Sequence, residues 1–585
     1  MRRGRRLMTS NVLEVLMPQP RSANLPLLGA RTIVAVLALL LLAAAAVPAA
    51  PGSSGRSVGA ESASAAADEA ALGALPAPYS GGDYLLVHAS VGVEGAASYL
   101  LQAAYRGIPI YGSYLSLDRP AGSEELIPRG EPRALPEAEL SALNTTPSLT
   151  ESEAIAMYKA ELARKLGGPI GSSPVDGDVP APKASLVIYS FGGIAHLAYE
   201  TELRFTLPEL GDWVGWIDAH TGLLIDEINR ISGMNAIAAA SASGSTSGAT
   251  SVQAAAAPIG WGKGYNGAQQ SFYISSEKST GKPTIYQLID TTRPAAIKTL
   301  DFRKPSKSKT RPEGYEYIAS TAKTFADTAA VDAHVNAKRV YLFYKNRFGR
   351  NSLDDKNMDI LSFVHIDSKT MRDNAVWTGW AMYYGEATGL ANGGANCTSC
   401  ALDLVAHEMT HAVTQYTVGL EYRGQSGALN ESISDIMASV MDSDDWEIGE
   451  DTGAASRSLA DPAKYGQPAS MSEYVDLPVD EKHDNGGVHV NSGIPNHAAY
   501  LTALKIDNAD FGLKGRDTLG RLTYVLLRDR LLSPTASFQD ARDAYIVAAS
   551  RLSGLTDAQK SKLASLVSAA WQAVGIGNST NLIDN

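Results

Sequence analysis

One stretch constrains this chain more than any other: Val405-Ala406-His407-Glu408-Met409-Thr410-His411, a His-Glu-x-x-His pair inside an apolar run. Residues four apart on a helix share a face, so His407 and His411 can turn both imidazoles toward one metal ion. Neutral imidazole nitrogen is among the ligands zinc prefers. Glu408 stands about 100° further round the helix, in reach of a water at the metal without ligating it. A catalytic zinc also needs a third protein ligand and an open fourth position. Glu431, within Gly427 to Asp435, lies 20 residues beyond His411 (431 − 411). That leaves room for the first helix to end near Gly419 and for a second to bring a carboxylate back. Asp435, one turn past Glu431, is placed to accept the spare N–H of a ligating histidine.

At 585 residues the chain exceeds a single core and is expected to form about two to four domains. Its net charge of −12 argues against nucleic acid or an anionic membrane as partner, since either requires a basic surface. The only cysteines, Cys397 and Cys400, admit three readings: a local disulfide, a redox pair or half a zinc site. No second pair exists to complete a zinc site, and an export signal favours the disulfide.

That signal is the run Thr32 to Ala50, apolar, preceded by Arg31 and ending in small residues before Pro51. Residues 1–50 therefore read as a signal peptide, favoured over an uncleaved anchor helix by the small residues before Pro51, with Met8 and Met17 as alternative starts. A disordered Ala/Ser/Gly stretch follows to Ala74. Residues 51–120 hold this start and a first module, in which Arg106-Gly107 joins two strands of a hairpin. Residues 121–235 read as a second module. Thr150 and Glu153 form a capping box opening a helix with Ile155, Tyr158, Leu162 and Leu166 on one stripe, and Gly167 closes it. Strands follow around 186–189, 195–205, 213–217 and 223–228. His88, His196 and His220 are scattered and read as structural or surface residues. The Ala/Ser/Gly/Thr tract of 236–257 is a linker and maturation region. From 258 to 416 strands precede a helix carrying Ala330, His334, Ala337, Tyr341, Tyr344 and Phe348, where His334 reads as a core residue. Residues 417–585 are helix-rich, with helices expected at 495–504, 518–532, 537–552 and 557–574.

HEMTHAVTQYTVGLEYRGQSGALNESISDI, then DPAKYG and DNGGVHVNSGIPNHAAYL, closely resemble the thermolysin-like zinc metallopeptidases, the neutral protease family. In the leader, YRGIPIYG and DWVGWIDAHTGLLIDEI resemble that family's propeptide. The resemblance implies an α+β protein: leader modules, then a two-lobed catalytic domain, β-rich before helical, with the zinc site between the lobes. It implies a secreted zinc endopeptidase made as an inactive proenzyme, extracellular and monomeric. Its partners would be protein and peptide substrates, and its own leader as inhibitor and folding aid, with no stable membrane association after cleavage.

Residue by residue, the resemblance makes His407, His411 and Glu431 the zinc ligands, with Asp435 behind them, and Glu408 the general base. His489 matches a second catalytic residue, oriented by Asp484, and Tyr422 a tyrosine that stabilises the oxyanion. Arg457 matches an arginine on the substrate carbonyl, and Asn374 and Ala375 the loop that holds the substrate backbone. An acidic cluster after the second helix can be a solvated loop or hold a hard cation such as calcium. The resemblance assigns calcium to Asp403, Asp442, Asp445, Glu447 and Glu450, and the shortness of this segment favours one ion over two. Ala395 to Cys400 replace bulky apolar residues usual before the zinc helix, so the expected preference for large apolar residues after the scissile bond is weakened. The rival reading, an inactive zinc-stabilised binding protein, has no use for Glu408, His489, Tyr422 and Arg457 together.

Overall fold

The computed structural model describes residues 82–91, 95–129, 134–171, 179–206, 210–233, 257–302, 316–366, 371–386, 397–453 and 455–577, with Tyr79, Pro132 and Pro208. The expected signal, the stretch expected to be disordered after it, and all of the linker but Ala257 lie outside the described residues. Among the described residues, no helix is long and apolar enough to cross a membrane.

Eight strands of the leader form one sheet: β1 (Tyr84–Val91), β2 (Ala97–Tyr105), β3 (Ile108–Arg119), β4 (Ile127–Arg129), β5 (Lys183–Phe191), β6 (Ile194–Phe205), β7 (Gly211–Asp218) and β8 (Leu224–Asn229). They pair as β1-β2-β3-β5-β6-β7-β8 with β4 on β3. The predicted division near residue 120 therefore falls within one sheet, joined where Ile110 of β3 meets Ile188 of β5. The Arg106-Gly107 turn has both φ angles positive, 52° and 79°, as a two-residue hairpin favours.

Strand alternation sorts the leader's side chains onto two faces. Trp213 and Ile217 join Tyr158 and Leu162 of the helix Glu151–Leu166, which has the predicted capping box and Gly167 terminus. Val214 and Trp216 fall on the other face with Val187, Tyr189 and Ile228. Gly215 makes the first packing possible, because a Cβ there would lie 2.4 Å from the Tyr158 ring.

After the linker, a mixed sheet runs in the order Ile289–Asp290, Ile297–Asp301, Ile360–Ile366, Met382–Gly385, Ala375–Trp377. The leader supplies its last strand, β9 (Ser232–Gly233), antiparallel to Ala375–Trp377. The helix Thr328–Phe348 begins at Asp327, whose side chain accepts from the Ala330 N–H, and ends at Gly349 in the left-handed region. Its stripe is buried from Ala330 to Tyr344, with Phe348 half-buried, and His334 is a core residue bonded to Thr299 Oγ1 at 3.0 Å.

The helices Leu402–Tyr416 and Gly424–Met441 continue this core into a helical lobe built from Gly493–Asn508, Gly515–Arg528, Phe538–Ser550 and Asp557–Ala573. The first of these four exceeds its prediction at both ends. Pro495 sits in the first turn, where its missing N–H costs nothing, and buried Ile506 carries the helix past Leu504.

Candidate active site

Consecutive turns of Leu402–Tyr416 carry His407 and His411, and Gly424–Met441 brings Glu431 against them. All three side chains are buried. The two Nε2 atoms lie 2.9 Å apart, and each is 3.4 Å from a Glu431 oxygen. Donors about 2.0–2.1 Å from a tetrahedral ion stand roughly 3.3 Å from each other, and these separations, with one Glu431 oxygen near each histidine, suit one zinc. Glu431 Oε2 and Glu408 Oε1 are buried without hydrogen-bond partners among the described residues, as suits a site built for a cation and a reacting molecule.

Each histidine is oriented from behind. His407 Nδ1 meets Asp435 Oδ1 at 2.8 Å, and His411 Nδ1 meets Asn430 Oδ1 at 2.9 Å with Ser434 Oγ at 3.2 Å. An Nδ1–H donated backward leaves the Nε2 lone pair facing the site. Asp435 is itself gripped by Arg457, two bonds of 2.8 Å, and by Asn496 at 2.9 Å.

Burial lowers the His411 pKa to about 4. Burial acts the same way on His407, but Asp435 and Glu431 outweigh it and raise that pKa to about 10. Burial opposes the charge on Glu431, yet His489, His411 and His407 hold its pKa well below the usual carboxylate range. Glu408 goes the other way: burial pushes its pKa up to about 8. One of its oxygens accepts the Trp377 backbone N–H at 2.8 Å, and the other is left toward the site.

On the far side, Tyr422 donates its hydroxyl to Glu431 Oε1 and lies 3.2 Å from His489 Nε2. His489 Nδ1 is held by Asp484 Oδ1 at 2.5 Å, while Asp484 Oδ2 accepts the His489 backbone N–H at 2.8 Å. The Gly486-Gly487 stretch just before His489 leads into a helix start. Asp484, Asn485, Gly486 and Gly487 run through positive φ, from 48° to 89°, and then Val488–Asn491 turn helical.

Of the other predicted residues, Asn374 caps the edge strand through its own Oδ1, 3.0 Å from the Ala375 N–H, and Ala375 opens the strand. Arg457 is committed to Asp435, one guanidinium nitrogen also lying 3.4 Å from His407 Nδ1. Asp403, Asp442 and Glu450 bring carboxylate oxygens within 4.8 Å of one another. Burial, then mutual repulsion, raises Asp442 to about 7. The other two expected calcium ligands stand differently. Asp445 accepts the Glu447 N–H at 2.7 Å, and the Glu447 carboxylate is tied to Lys464 and to Tyr465. Cys397 and Cys400 form a disulfide with Cα atoms 5.6 Å apart, in front of the helix carrying the histidines. Sequence reading missed Asn430, Ser434, Asn496 and the Trp377 N–H. Only Asn430 carried any signal, as the neighbour of Glu431.

Residues 259–415 match the thermolysin metallopeptidase catalytic domain, and residues 418–576 its alpha-helical domain. The chain is 34% identical to bacillolysin of Brevibacillus brevis over 493 residues, 82% of each protein. It is 35% identical to neutral protease B of Bacillus subtilis over 497 residues, again 82% of each. Thermolysin of Alicyclobacillus acidocaldarius shares 36% over 500 residues, 81% of this chain and 82% of that one. The chain belongs to the thermolysin metallopeptidase family. It is a zinc metalloendopeptidase of the two-lobed α+β fold, and the cluster of His407, His411 and Glu431 fits the family's His-Glu-x-x-His site.

Proposed function

We propose that the chain is exported as a proenzyme and hydrolyses extracellular peptide bonds as a monomer once residues 51–235 are removed. His407, His411 and Glu431 hold one zinc. The observation that carries this assignment is the set of three donor edges, 2.9, 3.4 and 3.4 Å, beside an unpartnered Glu408 oxygen. When bound, the zinc supplies Lewis acidity, acidifying a water and polarising the scissile carbonyl. Glu408, made basic by burial, takes the proton of the attacking water and passes it to the leaving amine. Tyr422 and His489 donate hydrogen bonds to the carbonyl oxygen as it gains charge. Asp484 fixes the His489 ring so that Nε2 faces that oxygen. Asn374 and Ala375 open the strand along which the substrate backbone lies.

The leader as inhibitor is supported by β9, which occupies the free edge of Ala375–Trp377 as an added strand. Its role as folding aid is supported by buried contacts to the helical lobe, where Arg551 donates to Asp118 Oδ1 at 2.8 Å and to Ser98 Oγ at 2.5 Å. Export is supported by the Thr32–Ala50 run and by the Cys397–Cys400 bridge, which suits an oxidising compartment. One structural calcium at Asp403, Asp442 and Glu450, with Asp445 and Glu447 beside them, would relieve the repulsion among these carboxylates.

Casein hydrolysis by matured protein is expected to stop with a zinc chelator and to fall about 10²–10⁴-fold in Glu408→Gln. Full activity in that variant would refute the assignment.

A further inference from the structure

Arg423 follows Tyr422 in the chain but serves another surface. Its backbone is extended, φ −151° and ψ 149°, so the two side chains point to opposite sides. Tyr422 turns inward to Glu431, and Arg423 turns to the leader. There its guanidinium lies over the Trp216 ring, 4.8 Å from the centroid, and one nitrogen meets Asp226 Oδ2 at 3.1 Å.

The leader builds a box around this cation from four separate strands: Tyr111 of β3, Tyr189 of β5, Trp216 of β7 and Asp226 of β8. Tyr189 stacks on Trp216 at 4.6 Å, and Tyr111 meets Trp216 edge-on at 4.9 Å. The Tyr189 hydroxyl donates to the same Asp226 oxygen at 2.5 Å, fixing the carboxylate where the guanidinium meets it. On the catalytic side Glu421 flanks the Arg423 Nε at 3.4 Å. A planar cation stacked on an indole and paired with an oriented carboxylate is a recognition contact that lysine does not reproduce. A polar cavity of about 500 Å³, lined by Tyr111, Tyr189, Glu421 and Arg423 among others, adjoins the box. Elsewhere on the rim of this cavity Arg129 of the leader donates to the Leu531 carbonyl, so Arg423 is one of two arginines that bridge this part of the interface.

We propose that Arg423 is the anchor by which the leader recognises its own catalytic domain outside the substrate cleft, the box of Tyr111, Tyr189, Trp216 and Asp226 being its receptor. The anchor keeps the leader seated after the linker is cut, together with the two paired residues of β9 and the Arg551 contacts to Asp118 and Ser98. This inference rests on the leader acting as inhibitor.

The test uses the full chain cut in the linker by an added peptidase, in a Glu408→Gln background so that nothing else is degraded. Leader retention is read by size-exclusion chromatography at falling protein concentration. Arg423→Gln and Asp226→Asn are each expected to weaken retention at least tenfold. The double variant should be no weaker than the worse single one, because both remove the same contact. Arg423→Lys should fall between, and a thermal midpoint for each uncut variant separates a folding defect from a lost anchor. Unchanged retention in Arg423→Gln, or additive losses in the double variant, overturns the anchor. Peptide hydrolysis by the uncut chain with Glu408 intact tests the inhibitor reading by itself. An uncut chain as active as the matured one removes that reading, whereas a silent uncut chain with unchanged retention removes the anchor alone.

Discussion

Trp377 is paired with Ser232 of the leader across an antiparallel ladder, and the same Trp377 donates its backbone N–H to Glu408 Oε2 at 2.8 Å. One residue thus touches both the leader strand β9 and the proposed general base. The leader lies on the segment proposed to hold a substrate backbone, close to the group that would act on it.

This short ladder predicts a way to loosen the proposed inhibition. Gly233→Pro removes a backbone donor and fixes φ in a strand of two residues. Peptide hydrolysis by the uncut chain should rise severalfold, while the matured enzyme, which lacks residue 233, keeps its rate. A silent Gly233→Pro proenzyme would mean that β9 contributes nothing to inhibition.

Tyr422 is predicted to act late in the reaction. Its hydroxyl touches Glu431 and His489 but no part of the edge strand that would hold the substrate backbone. Tyr422→Phe should lower kcat about ten- to a hundredfold and leave KM within about twofold, the pattern of an interaction made mainly in the transition state. A raised KM at normal kcat would place the tyrosine in substrate binding instead.

The carboxylates of Asp403, Asp442 and Glu450 predict a cation-dependent stability. Removing calcium with a selective chelator should lower the thermal midpoint. Calcium at about a hundredfold over its Kd should restore about 2.7 kcal/mol. In Asp442→Asn the dependence on calcium should be largely lost. A midpoint insensitive to calcium in the unsubstituted protein would leave the cluster a solvated acidic loop.

His334 predicts part of the acid sensitivity. Burial lowers its pKa from 6.5 to about 4, so the folded lobe holds it neutral. The unfolded chain binds its proton first. The favourable contribution is therefore complete above pH 6.5 and is lost as pH falls toward 4, by up to about 1.4 kcal/mol per pH unit. Comparing urea midpoints across this window, His334→Gln should show a shallower acid limb than the unsubstituted protein. Parallel limbs would mean that His334 does not carry the titration.

Much of this molecule was legible from local rules. The spacing of His407 and His411 placed two imidazoles on one helix face, and the stripe from Ala330 to Phe348 placed its helix to within about a turn. Thr150 with Glu153, Gly167 and Arg106-Gly107 marked an element's start, an end and a turn, because capping and left-handed backbone depend on neighbours in sequence. The helix at Val488–Asn491 was not legible, since the glycines before it signal a loop as readily as a run of positive φ.

The sequence by itself determined which side chains could hold a metal and which elements would carry them. Periodicity and capping act over a few residues and need no knowledge of the fold. Only the tertiary structure decided that Asn430, Ser434 and Asn496 back the zinc cluster, that the Trp377 N–H reaches Glu408, and that β9 occupies the edge strand. It also decided that Arg423 leaves the cleft for a box built from four leader strands. Such contacts join residues far apart in sequence, and they exist only once packing has fixed which faces meet.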